Sequence, residues 1–442
     1  MKIMSTAGAA LLVATLLALP VAPAHAAEAG AVIAPKCKGR TVTILGTEDA
    51  DTLRGSNQRD VILALGGDDR VDGRGGNDVI CGGAGRDLVK GGPGHDKIFG
   101  GGDGRSDRRN PDGVRLMVGD VVQGGPGDDL IDLGYDERQK TFGSARRDRL
   151  SYKGSAFRVI VALGTPKGRG HARGDGRDRL VEHPFLALLG SDRGDELTGS
   201  TYGDQILGRG GPDHVIGGGG RDVLVDGAIG ARVGDDVLEG GIGRDVLTSY
   251  GGHDELDGGS SADALTAVRA PAGGLKLVGG RGGDVLSVGA MLAASCVVAV
   301  GGGGVDELVP TVARQVHRAK VDADLHAGAF GVRGQGGDGC GSVRGLEMLT
   351  LDNAFGTAQR LRWFVRGTSA FETVVLRNGG SVLATMAGGD DQVVGSSGDD
   401  NLKGGPGHDR LFGGSGKDIA IGGPGTDTCR KVEFRRGCEL PS

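Results

Sequence analysis

An all-β solenoid, a stack of short strands joined by tight turns, is the fold class this sequence predicts, on three observations. Residues 82–90 read Gly-Gly-Ala-Gly-Arg-Asp-Leu-Val-Lys, and residues 91–99 repeat the pattern as Gly-Gly-Pro-Gly-His-Asp-Lys-Ile-Phe. The same nine-residue period recurs along most of a 442-residue chain that holds 91 glycines. Each unit closes on a brief alternation with a large apolar residue at position eight, as a short strand with one buried face requires.

Aligned on Asp at position six and the apolar residue at position eight, 23 units can be placed. They occupy residues 46–99, 115–132, 190–225, 231–266, 279–287, 301–309 and 386–430. The earliest is degenerate: residues 46–53 keep Asp51 and Leu53 but lack glycine at positions two and four. Glycine at positions one, two and four permits the left-handed and closely approached backbone of a tight turn. Asp at position six ends the turn with an acceptor-only carboxylate. Two units make one coil of about 18 residues, with coils stacked about 4.8 Å apart. Ile80, Val89, Ile98, Leu224, Leu247 and Leu411 are then expected to line a thin continuous core.

The pattern G-G-x-G-x-D-x-U-x, where U is large and apolar, resembles the nonapeptide of RTX, or haemolysin-type, calcium-binding proteins. The nearest likeness is to the exported members of Gram-positive bacteria. It covers nearly all of the chain after the first 26 residues, strongly in the repeat blocks and weakly between them. The resemblance implies a right-handed parallel β-roll with disulfide-stapled ends that binds several Ca2+ ions through turn carbonyls and Asp side chains of successive coils. Carried onto this sequence, the metal ligands are Asp60, Asp69, Asp78, Asp87, Asp96, Asp129, Asp195, Asp204, Asp213, Asp222, Asp236, Asp245, Asp254, Asp263, Asp284, Asp391, Asp400, Asp409, Asp418 and Asp427. Electrostatics agrees, since two bare carboxylates about 4.8 Å apart repel by roughly 0.9 kcal/mol even in water. Calcium takes six to eight oxygens, and at an assumed dissociation constant of ~0.1 mM, ~1 mM calcium stabilises the fold by about 1.4 kcal/mol per site. Position five is often basic or His, as at Arg59, Arg86, Arg221, Arg244, Lys417, His95, His253 and His408. These read as solvated edge residues, or as cations that soften repulsion in the metal-free chain.

The expected organisation is a signal peptide at 1–26, an N-terminal cap at 27–45 and a first roll block at 46–132. An irregular β insertion at 133–189 leads to a second block at 190–309. An irregular β-rich segment at 310–385, a third block at 386–430 and a cap at 431–442 follow. Lys2, the apolar run 7–19 and Ala24-His25-Ala26 have the layout of a secretory signal, so a secreted, extracellular product is expected. Without residues 1–26, which contain one of the 51 basic residues, the net charge is −7. No later stretch is long and apolar enough to span a membrane. Six cysteines allow 15 pairings. Staples that cap both ends of the sheets favour Cys37–Cys81 and Cys429–Cys438, leaving Cys296–Cys340, and no C-x₂-C spacing suggests zinc.

In the insertions, Asp148-Arg149-Leu150-Ser151-Tyr152 and Phe157–Leu163 have an echo in residues 321–328 and 343–348, and both read as irregular coils continuing the solenoid. Trp363, the only tryptophan, marks either a partner-binding surface or a side chain packing the roll's wall. Residues 102–114 read as an exposed loop whose mixed charges give nucleic-acid binding little support. Catalytic patterns are scarce: neither H-E-x-x-H nor G-x-S-x-G occurs, and Gly414-Ser415-Gly416-Lys417-Asp418 lacks the Ser/Thr of a phosphate loop. His171 and His183 share an insertion with Asp175 and Asp178, a weak acid/base candidate. The leading expectation is a non-catalytic calcium-binding structural or binding module. The alternatives are a calcium-dependent adhesin or matrix component with an extracellular protein or glycan partner and, behind it, a hydrolase with its site in an insertion.

Overall fold

The computed structural model describes residues 34–102, 120–133, 148–163, 170–174, 176–180, 186–227, 234–270, 274–291, 295–312, 320–333, 341–352 and 361–439. The expected signal segment and most of the 102–114 loop lie outside these residues. Lys36–Ser442 forms one compact unit, an all-β parallel solenoid of about 15 turns.

Consecutive units feed alternate sheets, so neighbours within a sheet come from units one coil apart. In one sheet Val71, Val89, Val122, Leu150, Leu188, Ile206, Leu224 and Leu247 stand in register. The other places Ile62, Ile80, Ile98 and Ile131 in register, and later Leu197, Val215, Leu238 and Leu256. All these residues are buried, and with Leu411 they form part of a single apolar cluster. Position eight therefore supplies the core, as the period requires. Strand length varies along the stack, from two residues in Ile44–Leu45 to eight in Gly274–Arg281 and Cys296–Gly303.

The turns explain the glycines. Gly92 and Gly94 have φ of +104° and +152°, and a side chain at Gly94 would overlap the Gly76 carbonyl oxygen of the coil before. Only glycine combines that backbone with that approach.

Both ends are stapled. Lys36–Cys37 and Arg40–Thr41 form an antiparallel hairpin. Cys37 is disulfide-bonded to Cys81 and packs with Val61 and Val79 in a small second cluster. At the other end Cys429 continues the core stack beyond Leu411 and is bonded to Cys438, while Phe434–Arg436 extends the facing sheet. Cys296 is also disulfide-bonded. Its expected partner, Cys340, lies outside the described residues.

The two interruptions share one topology. In the first, Ile160–Ala162, Gly170–Arg173 and Arg177–Leu180 form an antiparallel meander. Its last strand pairs in parallel with Leu130–Asp132 below, and its first with Glu196–Thr198 above. The second repeats this with Lys320–Asp324, Ala329–Arg333 and Gly341–Arg344, between Cys296–Gly303 and Arg362–Arg366. What reads as irregular coil in the sequence is thus a reversed three-strand insert in one sheet. The other sheet stays parallel through Asp148–Ser151 and Leu186–Leu189. Trp363, 1% exposed and in register between Val321 and Val382, belongs to the core and presents no surface to a partner.

Candidate calcium sites

All twenty Asp residues expected at position six are buried, on the turns just before the strands. The backbone holds them there through a repeated bond. The N–H of Asp60 donates to Asp78 Oδ1 at 2.8 Å, that of Asp78 to Asp96 Oδ1 at 2.8 Å, and that of Asp96 to Asp129 Oδ1 at 2.9 Å. On the facing edge the N–H of Asp391 donates to Asp409 Oδ1, and that of Asp409 to Asp427 Oδ1, each at 2.9 Å. One carboxylate oxygen per unit thus satisfies a buried amide of the previous coil.

The second oxygen is the chemical problem. Buried Oδ2 atoms of Asp69, Asp78, Asp96, Asp129, Asp213, Asp245, Asp263, Asp284, Asp391, Asp409, Asp418 and Asp427 have no hydrogen-bond partner. Position one shows where they point. A Cβ at Gly73 would lie 2.6 Å from both Asp78 Oδ2 and the Gly91 carbonyl oxygen of the next coil. A Cβ at Gly258 would meet Asp263 Oδ2 at 2.7 Å and the Gly279 carbonyl at 2.6 Å. At these turns carboxylate and carbonyl oxygens converge on a cradle that a Cβ at position one would enter. Buried and lacking a donor, such a carboxylate resists ionisation: burial pushes Asp96 and Asp263 up to about 7, and Asp129 and Asp213 to about 8. Repulsion from neighbouring carboxylates adds to each. An all-oxygen cradle carrying negative charge suits a hard divalent cation, and the donor set fits calcium.

Some turns are built differently. Where Ser or Thr follows the first glycine, its own groups satisfy the carboxylate. Asp60 Oδ2 accepts from the Ser56 N–H and hydroxyl at 2.6 and 2.9 Å, Asp195 Oδ2 from Ser191 at 2.6 and 3.0 Å, and Asp204 Oδ2 from Ser200 at 2.7 and 2.8 Å. Asp51 is held likewise by Thr47, and Asp400 by the Ser396 N–H at 2.9 Å. A Cβ alone is not the cause, since Leu65, Arg74 and Arg209 hold the same position with positive φ before Asp69, Asp78 and Asp213, whose Oδ2 atoms stay without a donor. In a Gly-Gly turn the position-two N–H faces the next coil, as Gly92 N donates to Gly124 O at 2.8 Å. Ser or Thr does not take up the positive φ of Gly92, and its N–H turns inward instead.

Several carboxylates of the ladders were not among the expected ligands. Asp120 and Asp306 occupy position six of recognisable units, and both are buried in the ladder. Asp148 and Asp178 extend it through the first insertion, accepting from the N–H groups of Asp120 and Asp129. Glu347, Glu372 and Glu433 stand in for Asp; Glu347 accepts from the Asp306 N–H, and the Glu372 N–H donates to Asp391. Except at Glu433, which precedes the exposed Arg435, their signal was an acidic residue two positions before a buried apolar one. On one edge the ladder stops after Asp254: Leu275 and Val297 follow, both buried. It resumes at Asp400, which accepts from the Val382 N–H.

Position five carries an outer ladder. The N–H groups of Arg86, His95, His253, His408 and Lys417 donate to Asp68, Asn77, Asp235, Asp390 and Asp399, one coil earlier. Of the four residues of the acid/base candidate, His171 and Asp178 lie among the described residues. His171 is exposed while Asp178, on the adjacent strand, is buried, accepting from the Tyr152 hydroxyl at 2.9 Å. His183 and Asp175 lie outside the described residues.

No curated protein matches the chain. Residues 45–80, 81–104, 189–224, 232–265, 387–420 and 394–429 match the family model of the RTX calcium-binding nonapeptide repeat. Turns in those segments stack carboxylates over glycine cradles, and their strands form part of the solenoid. The chain is an RTX-type calcium-binding repeat protein.

Proposed function

We propose that the protein is an exported, non-catalytic module whose solenoid folds on calcium, with the position-six carboxylates of the Gly-Gly turns and the facing carbonyls as ligands. The carrying observation is the repeated buried Oδ2 without a donor, set against a carbonyl oxygen of the next coil. Metal-free, these charges oppose the stacking that the apolar core favours; calcium reverses the sign of that contribution. The expected signal segment and the disulfide-bonded cysteines support an oxidising, calcium-rich compartment outside the cell. We further propose the block boundaries set out above as the functional division of the chain, with caps at both ends.

The test is far-UV circular dichroism of the disulfide-intact protein during a calcium titration, with magnesium as control. A cooperative gain of β signal between about 0.1 and 1 mM calcium, absent with magnesium, is the expected result. An unchanged β signal in chelator and in calcium would mean that core and disulfides suffice. A calcium-dependent adhesin is a second reading, favoured by the first insertion, which exposes Phe157 (63%) on a segment outside the repeats. It predicts calcium-dependent binding to cells or immobilised glycans that is lost on deleting the insertion.

A further inference from the structure

The two sheets of the solenoid differ in their outer faces. In the sheet that turns Leu188, Ile206, Leu224 and Leu247 inward, the residues just before these form an outward column in register. Coil by coil it reads Arg149, Ala187, Gln205, Val223, Val246, Ala264, Val285 and Glu307. Six uncharged residues thus lie between one cation and one anion. The column just after the core residues begins at Ser151, ends at Val309 and holds no charge. On the facing sheet, the outward positions of the corresponding coils include Glu196, His214, Glu239, Glu255, Asp257 and Lys276. That face is dressed for water, with Lys276 paired to Glu255, and His214 Nε2 to Glu239 at 3.1 Å.

The uncharged face keeps part of its surface exposed. Gln205, Val223, Val246 and Ala264 are half-buried, and Val285 is 38% exposed. Where outward apolar residues open the other sheet the chain covers them itself: Val61 and Val79 are buried against Cys37 of the N-terminal hairpin. Both antiparallel meanders belong to that other sheet, so the uncharged face stays parallel and uninterrupted. Its strands have four to seven residues. Eight such strands about 4.8 Å apart give a footprint of roughly 500 Å², so two copies would bury about 1,000 Å². That is the lower limit of a specific interface, the size of a weak and reversible one.

We propose that this face docks a second copy of the chain, sheet on sheet, with the coils in reverse order. A two-fold axis along the strand direction, midway between Val223 and Val246, lays each column on its own reversed copy. Arg149 then stands opposite Glu307 of the second copy, and Glu307 opposite the second copy's Arg149. Docking with the coils in the same order would set Arg149 against Arg149 and Glu307 against Glu307, so charge selects the reversed arrangement. Between those ends the six central coils bury no charged side chain, and no desolvation of ions opposes the contact. The inference needs only the folded solenoid and is independent of which turns hold calcium.

The experiment is sedimentation velocity of the disulfide-intact, calcium-loaded protein over about 1–100 µM. A reversible monomer–dimer equilibrium is expected of the wild type. Val246→Lys, beside the axis, is expected to abolish the dimer with an unchanged circular dichroism spectrum, whereas Thr198→Lys on the facing sheet leaves it intact. Arg149→Glu and Glu307→Arg are each expected to weaken the dimer about tenfold or more, and the two exchanges together to restore it. A wild type that stays monomeric, including one that floats with phosphatidylcholine vesicles instead, overturns the inference, as does a Val246→Lys variant that still dimerises. A double exchange that associates no better than the single ones overturns the reversed order.

Discussion

Two kinds of turn share this solenoid, and they solve the same electrostatic problem in opposite ways. A Gly-Gly turn such as that before Asp96 points its position-two amide at the next coil and leaves a buried carboxylate oxygen facing a carbonyl. A Gly-Ser turn such as that before Asp195 points amide and hydroxyl at its own carboxylate. The first requires a cation from outside; the second carries its own donors. Their placement is not even. Thr47 and Ser56 open the first block, and Ser191 and Ser200 open the second, each pair on the two edges of one coil. We propose that each of these blocks starts on a coil that needs no metal on either edge and templates the metal-dependent coils that follow.

The sharpest way to break this comparison is to neutralise one carboxylate of each kind. Asp96→Asn keeps an acceptor for the Asp78 N–H but presents an amide where the cradle wants an anion. In ~1 mM calcium it is expected to lose one bound ion and about 1.4 kcal/mol or more. In chelator its sign reverses, because a buried charge without a donor has been removed. Asp195→Asn sets an amide N–H against the Ser191 N–H and hydroxyl. It is expected to lose about 1–3 kcal/mol in both conditions, with no change in calcium stoichiometry. Thermal melts with and without chelator read both, and the same response from both variants would dissolve the distinction.

A pH series on the chelated protein tests the same point without mutation. Asp96, Asp129, Asp213 and Asp263 are raised from 3.8 to about 7–8 by burial, with repulsion from other carboxylates added. A folded-state pKa above the unfolded one means that folding favours the protonated form. Their contribution is therefore fully present below about pH 4 and is lost as pH rises through 7–8. The metal-free solenoid should melt at a higher temperature at pH 5 than at pH 8, and calcium should erase or invert the difference. A metal-free protein that is more stable at pH 8 would show that these groups do not govern it.

Much of this was legible in the sequence because the repeat is local. A nine-residue period fixes which residue turns, which faces the core and which carries charge, so Ile80, Val89 and Leu411 fall inward as expected. The end staples followed from where Cys37, Cys81, Cys429 and Cys438 sit relative to the first and last strands. The meanders were not legible, because pairing direction depends on partners far apart in sequence; Val161 pairs with Ala172 antiparallel but with Leu197 in parallel. Nor was the division between turn types. Ser191 and Gly92 occupy equivalent positions, and the direction of the amide, together with the Ser hydroxyl, separates a self-satisfied carboxylate from an open one.

The smallest effect tests the comparison from the other side. Ser191→Gly turns a self-satisfied turn into the Gly-Gly sequence and removes the hydroxyl that donates to Asp195. Without calcium, the lost hydroxyl bond and the freer unfolded chain should together cost about 1–2 kcal/mol. With calcium, glycine can take the positive φ of its counterparts, redirect its amide to the next coil and open Asp195 Oδ2 to a cation. One additional bound ion is then expected, offsetting most of the loss at ~1 mM calcium if the new site resembles the others. The net change in melting temperature should be small in calcium and clear in chelator. Equilibrium dialysis that finds no additional ion would show that the open carboxylate depends on more of the turn than residue 191.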